Sequence, residues 1–250
     1  MLTILALQLL YGCSYIDKLA NELTEDPYDI DIIYVDWTPT ASQEADFDAA
    51  LAVWESAITE GLVEASYNTT QEQIDATPLA EHCQPINDTV DDMLLWISVD
   101  PEIGGPLAIG KVCHIDYGGS GLPRTGSVRM SPEFAAGETY ADQFAETIAH
   151  EIGHVIVYTN RTWNLDQDGD GVSEWELIPG YEGDCYSDSE FYYEGTAGVA
   201  AWHALGGEGG VPMEPGDTLS SQSGCSHLSK DVFPNAMMSA YATPGIEFGV

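Results

Sequence analysis

Positive charge is what this sequence of 250 residues lacks most: six Lys and Arg stand against 42 Asp and Glu, a formal charge of −36 at pH 7. The field of such a surface repels nucleic acid and anionic membranes, so nucleic acid is excluded as a partner. The acidic residues are spread along the whole chain rather than gathered in a tail. That describes a solvated surface, suited to high salt where screening relieves self-repulsion. Long apolar runs are also lacking. The run Met1 to Leu10 falls far short of the roughly 20 residues that span a bilayer, so it reads as a signal peptide, although it carries no Lys or Arg. Cysteine is scarce, at five residues, but its count is informative once the N-terminus is considered.

The apolar run ends in Leu10-Tyr11-Gly12-Cys13, a pattern similar to the lipobox at which a signal peptide is cut and the following Cys acylated. Residues 1–13 are therefore expected to be a signal peptide and Cys13 a lipid attachment point, anchoring an exported, extracellular or cell-surface lipoprotein to a membrane. Residues 14–27, polar and acidic up to Pro27, suit a tether between anchor and domain. With Cys13 set aside, Cys83, Cys113, Cys185 and Cys225 remain, an even number in a chain expected to be exported. Two disulfides follow, and sequence order pairs Cys83 with Cys113 and Cys185 with Cys225.

An apolar fraction of 44% over this length supplies a substantial core for one domain or two small ones, and excludes a disordered chain. Asp31 to Trp37 is β-rich and predicts the first strand, ended by Pro39. From Ser42 to Gly61 the apolar positions Ala45, Ala49, Val53, Trp54, Ala57 and Ile58 form a helical stripe, with Gly61 as the stop. Residues 64 to 90 are less regular. Met93 to Val99 is apolar throughout and predicts a central strand; Ala108 to Ile115 and Gly126 to Met130 predict two more. Residues 191 to 205 read as helical towards their end and stop at Gly206-Gly207.

The chemistry centres on His150-Glu151-Ile152-Gly153-His154. Two imidazoles four apart on a helix face one side and can share a zinc ion, and the Glu between them is placed as a general base. Residues 138 to 149 lead into the motif without Gly or Pro, and Phe144, Ile148, Ile152 and Val155 recur at helical spacing, so the motif sits on a helix ending near Tyr158. A catalytic zinc takes three protein ligands and keeps a position for water, so a third ligand is required. By distance along the chain Glu174 or Glu194 can serve, as can His82, His114 or His203; each also has an ordinary reading as a packed or exposed side chain. Further on, Asp166-Gln167-Asp168-Gly169-Asp170-Gly171 has the alternating carboxylates and glycine of the first half of an EF-hand loop, making Asp166, Asp168 and Asp170 candidate calcium ligands. The twelfth position of such a loop, normally a bidentate Glu, is Leu177.

The C-terminal stretch carries a resemblance. Gly224-Cys225-Ser226-His227 followed by Phe233-Pro234-Asn235-Ala236-Met237-Met238-Ser239 resembles the His-then-Met-turn segment of leishmanolysin-like metalloproteases, members of the metzincin group. Glu194 to Trp202, Leu205-Gly206-Gly207 and Val211-Pro212-Met213-Glu214 are similar to the same family, and the likeness covers roughly residues 90 to 240. The chain departs from the pattern at Val157, where metzincins usually carry Gly.

The resemblance implies zinc on His150, His154 and His227, Met238 beneath the metal, and an exported endopeptidase that cleaves polypeptides with Glu151 as general base. It implies an α+β fold: a twisted, mostly parallel sheet with two long helices in an N-terminal subdomain (28–158), then a loop-rich C-terminal subdomain (159–250), together one catalytic domain over 28–250. Substrate is expected antiparallel to an edge strand above the zinc helix, with Gly126 to Met130 as that edge. The competing reading is a non-catalytic, calcium-binding surface lipoprotein on a degenerate metalloprotease fold.

Overall fold

The computed structural model describes residues 23–24, 27–58, 61–75, 82–115, 123–137, 139–156, 191–193, 196–214 and 226–239. They fall into two compact units, one drawn from Glu22–Ile156 and the other from Val157–Val250. Among the described residues no helix is long and apolar enough to cross a membrane. Cys13, the acidic stretch 14–22, Asp166, Asp168, Asp170, Glu174, Cys185, Glu194 and Cys225 lie outside the described residues.

The first unit runs β1 (Leu23–Thr24), β2 (Ile30–Val35), α1 (Ala41–Ala57), β3 (Gly61–Leu62), β4 (Ala65–Asn68), α2 (Gln71–Asp75), β5 (Asn87–Val90), β6 (Met93–Val99), β7 (Ala108–Ile115), β8 (Pro123–Met130), α3 (Pro132–Ala136), a 3-10 turn (Ala141–Gln143) and α4 (Phe144–Ile156). Its four-stranded sheet has the order β2-β6-β8-β7. β2 with β6 and β6 with β8 are parallel, and β7 is antiparallel to β8. This is the α+β arrangement expected, a mostly parallel sheet with two long helices, α1 and α4. β6 is interior, as its unbroken apolar sequence predicts, with Leu95 and Ile97 wholly buried.

The edge strand is a correction. Gly126 to Met130 belongs to β8, which is paired on both sides, and the outer strands are β2 and β7. β8 is buried along its whole length despite its polar sequence, and Arg124, Thr125 and Arg129 find partners inside. The Arg124 guanidinium donates to the carbonyl oxygens of Asp91 and Val63 at 2.7 and 2.9 Å. Thr125 Oγ1 meets His114 Nδ1 at 2.6 Å, and Arg129 forms an ion pair with Asp100. Two of the chain's few cations are thus spent inside the fold, which leaves the surface still more acidic.

α1 begins at a capping box, in which Thr40 and Gln43 bond each other's backbone N–H groups. Its buried face is also a correction: Gln43, Phe47, Ala50 and Trp54 are inside, whereas Ala45 and Ala49 are exposed and Val53 and Ala57 only half-buried. Alanine lies on both sides of this helix, so it marks neither face; the large rings decide. Phe47 packs edge-on against Phe144 with centroids 5.6 Å apart, and Gln43 Nε2 donates to the Ala135 carbonyl oxygen at 2.8 Å. The helix ends at Ala57, four residues before the expected stop at Gly61, which is used in β3.

Residues 64–90 are more ordered than their irregular pattern suggests. β4 and β5 form an antiparallel ribbon, and Ile74, Cys83, Ile86, Val90, Trp96 and Cys113 pack as one apolar cluster. The expected disulfide joins Cys83 to Cys113 inside that cluster. The second unit contains β9 (Phe191–Tyr193), α5 (Thr196–Ala204) and β10 (Val211–Met213), with β9 and β10 antiparallel. α5 gives way at Gly206 and Gly207, as its sequence predicts, and Gly207 N–H closes back on the Trp202 carbonyl oxygen at 3.0 Å.

Candidate metal centre

α4 has a strongly one-sided pattern: Phe144, Ile148, Ile152 and Val155, the predicted stripe, are all buried. Three contacts fix this helix within its unit. The Trp54 indole N–H of α1 donates to the Ala149 carbonyl oxygen at 2.8 Å. On β8, Gly126 lets the strand approach so closely that a Cβ would lie 2.2 Å from Val155 Cγ1. On β7, a Cβ at Gly110 would lie 2.0 Å from the Glu151 carbonyl oxygen, so only glycine fits.

The histidines and the glutamate divide between two faces of α4. His150 and His154 are half-buried, and their Nε2 atoms stand 3.1 Å apart. Glu151 is buried, and Gly110 N–H donates to its Oε2 at 2.6 Å. Burial pushes the Glu151 pKa up to about 8, against the pull of that N–H. A cation beside the carboxylate would oppose the rise, since opposite charge favours the ionised form.

In the second unit, His227 is buried and its Nδ1 lies 3.2 Å from Ser226 Oγ. Met238, the expected Met-turn residue, is buried and accepts the N–H of Leu228, the residue after His227, at 2.8 Å. Within the first unit, His150 and His154 each offer one ring nitrogen on the same side of α4, so the pair can share a metal ion. Four-coordinate zinc with bonds of about 2.0 to 2.1 Å sets neighbouring ligand nitrogens roughly 3.3 Å apart, and imidazole is among its preferred donors. The His150 to His154 spacing of 3.1 Å fits that requirement.

The other histidines weighed as third ligands have different surroundings. His114 bonds Thr125 and packs against the rings of Tyr67 and Trp96. His82 is half-buried, with its charge felt by Asp100. His203 is exposed on α5, with its Nε2 3.0 Å from the Gly209 carbonyl oxygen. Two residues with evident structural roles here, Gly110 and Glu214, were given no role by the sequence, although Glu214 ends the family-like stretch Val211-Pro212-Met213-Glu214. A glycine inside a strand was the available signal for the first, and the family-like stretch ending at Glu214 was the signal for the second. No protein-family model matches the chain, and no curated protein shows significant similarity to it.

Proposed function

We propose that this protein is an exported zinc endopeptidase with a metzincin-like, leishmanolysin-like catalytic domain, acting on polypeptides. The observation that carries the proposal is the pair of imidazoles His150 and His154, with Nε2 atoms 3.1 Å apart and a buried Glu151 between them in sequence; His227 completes the ligand set in this reading. Zinc held there supplies Lewis acidity to a bound water and to the scissile carbonyl.

The chain's own residues do the rest. Glu151 accepts the proton of the attacking water and passes it to the leaving amine, acting as base and then as acid. Gly110 N–H holds one oxygen of that carboxylate, so the base is oriented before substrate arrives. Substrate adds antiparallel to β7, an outer strand of the four-stranded sheet, through main-chain hydrogen bonds. Because Gly110 lies on β7 and touches Glu151, a peptide along this strand passes beside the base. Attachment of the mature chain to a membrane through acylated Cys13, and calcium on Asp166, Asp168 and Asp170, complete the reading.

Replacing Glu151 by Gln is expected to leave zinc bound and to slow casein hydrolysis by at least about a hundredfold, the scale of a lost general base. Undiminished hydrolysis at equal zinc content would remove Glu151 from the mechanism.

A further inference from the structure

His227 sits on neither a helix nor a long strand, so something else must aim it. The segment from His227 to Lys230 is threaded between two neighbours. Leu228 bridges antiparallel to Met213 and parallel to Ser239. Its N–H reaches the Met238 carbonyl oxygen at 2.8 Å, and Ser229 N–H reaches that of Pro212 at 3.0 Å.

Glu214 grips both ends of the same segment. Its backbone N–H donates to the His227 carbonyl oxygen at 2.9 Å. Its Oε2 accepts Lys230 N–H at 3.0 Å, and its Oε1 accepts Lys230 Nζ at 2.5 Å. The carboxylate is buried, whereas the Lys230 side chain is nearly half exposed. Burying a carboxylate is unfavourable unless its oxygens are bonded, and here both oxygens are used on a single residue three places after His227.

We propose that Glu214 is the positioning residue for His227: it pre-orders the His227 backbone so that the third imidazole is presented to the metal without first ordering a loop. This rests on the zinc reading above. Without Glu214 the segment keeps its bridges through Leu228 but loses the bonds that close it at Lys230, so metal binding must then order the chain, and affinity falls.

The test uses the full chain stripped of metal, titrated with zinc against a chromophoric chelator and, separately, with cobalt followed by its visible absorption. Glu214→Ala is expected to weaken zinc about 10- to 100-fold, the range of a group that orients a ligand. Glu214→Gln keeps an acceptor for Lys230 N–H and is expected to lie closer to wild type than to Glu214→Ala, whereas Glu214→Met, which keeps the bulk without the acceptor, is expected to be as weak as Glu214→Ala; a Met variant that binds like Glu214→Gln would mean packing alone and overturn the proposal. Should Glu214→Ala fail to fold, Glu214→Asp decides, because its carboxylate keeps the charge but is one methylene too short to reach Lys230 N–H; it too is expected to bind zinc more weakly than wild type. His227→Ala provides the reference. If it loses zinc while the Glu214 variants bind like wild type, or if Glu214→Gln is as weak as Glu214→Ala, the positioning role is overturned and the metal site stands. If His227→Ala binds zinc like wild type, the metal site itself is wrong and the role of Glu214 falls with it.

Discussion

The main-chain N–H of Gly110 donates to the Glu151 carboxylate at 2.6 Å, and the two backbones lie so close that a Cβ at position 110 would stand 2.0 Å from the Glu151 carbonyl oxygen. β7 and α4 are therefore in direct contact at the residue proposed to move the proton. The obstacle to any larger residue at 110 is backbone, which cannot swing aside as a side chain can.

Gly110→Ala is accordingly expected to force β7 and α4 apart and to lower stability by at least about 1 to 3 kcal/mol, the usual cost of overpacking. Urea unfolding followed by fluorescence checks this. An unchanged midpoint would mean that strand and helix are not in the contact described.

The sequence made α4 legible because three signals agreed: a motif with fixed spacing, an apolar stripe at helical period, and no Gly or Pro before it. β6 was legible as a run of mostly apolar residues of strand length, and β7 as a stretch of that length rich in Ile, Val and Cys. α1 was found, but its inward face was misjudged, since Ala is as compatible with solvent as with a core and Gln43 looked polar while being buried by its bond to Ala135. Nothing local in Gly126 to Met130 tells an edge strand from an interior one, because the partners of Arg124, Thr125 and Arg129 in β8 come from distant parts of the chain. The clamp on His227 was illegible for the same cause: Glu214 and Lys230 are sixteen residues apart, and no local pattern announces such a pair.

Asp92 supplies a pH dependence of stability. It is buried, and burial raises its pKa to about 6, although the N–H groups of Leu62 and Asp29 bond its oxygens and pull the other way; neighbouring Asp91 adds to the rise. The folded chain therefore holds a proton on Asp92 between about pH 4 and 6 that the unfolded chain has released. Its favourable contribution is fully present below about pH 4 and is lost as pH rises through 6, by roughly 1 to 3 kcal/mol. Asp92→Asn, which does not titrate, is expected to lack this fall, so that the stability difference between wild type and variant changes by that amount from pH 4 to 7. A constant difference from pH 4 to 7 would contradict it.

The Cys83 to Cys113 disulfide closes a loop of 30 residues in sequence and lies in the cluster beneath β6 and β7. Replacing both cysteines by Ser is expected to cost about 2 to 4 kcal/mol. Because the bond is buried in an apolar cluster, gentle reduction of the folded protein is expected to leave it intact until unfolding begins. Loss of the bond at full native signal, or a double variant as stable as the wild type, would count against this.

The most direct test of the central claim is a metal analysis of the purified chain coupled to casein hydrolysis before chelation, after chelation, and after zinc is restored. The account predicts about one tightly held zinc per chain, hydrolysis that disappears when the ion is removed, and recovery when zinc returns. A folded chain that holds no zinc, or that cleaves casein equally well with the chelator present, would contradict it.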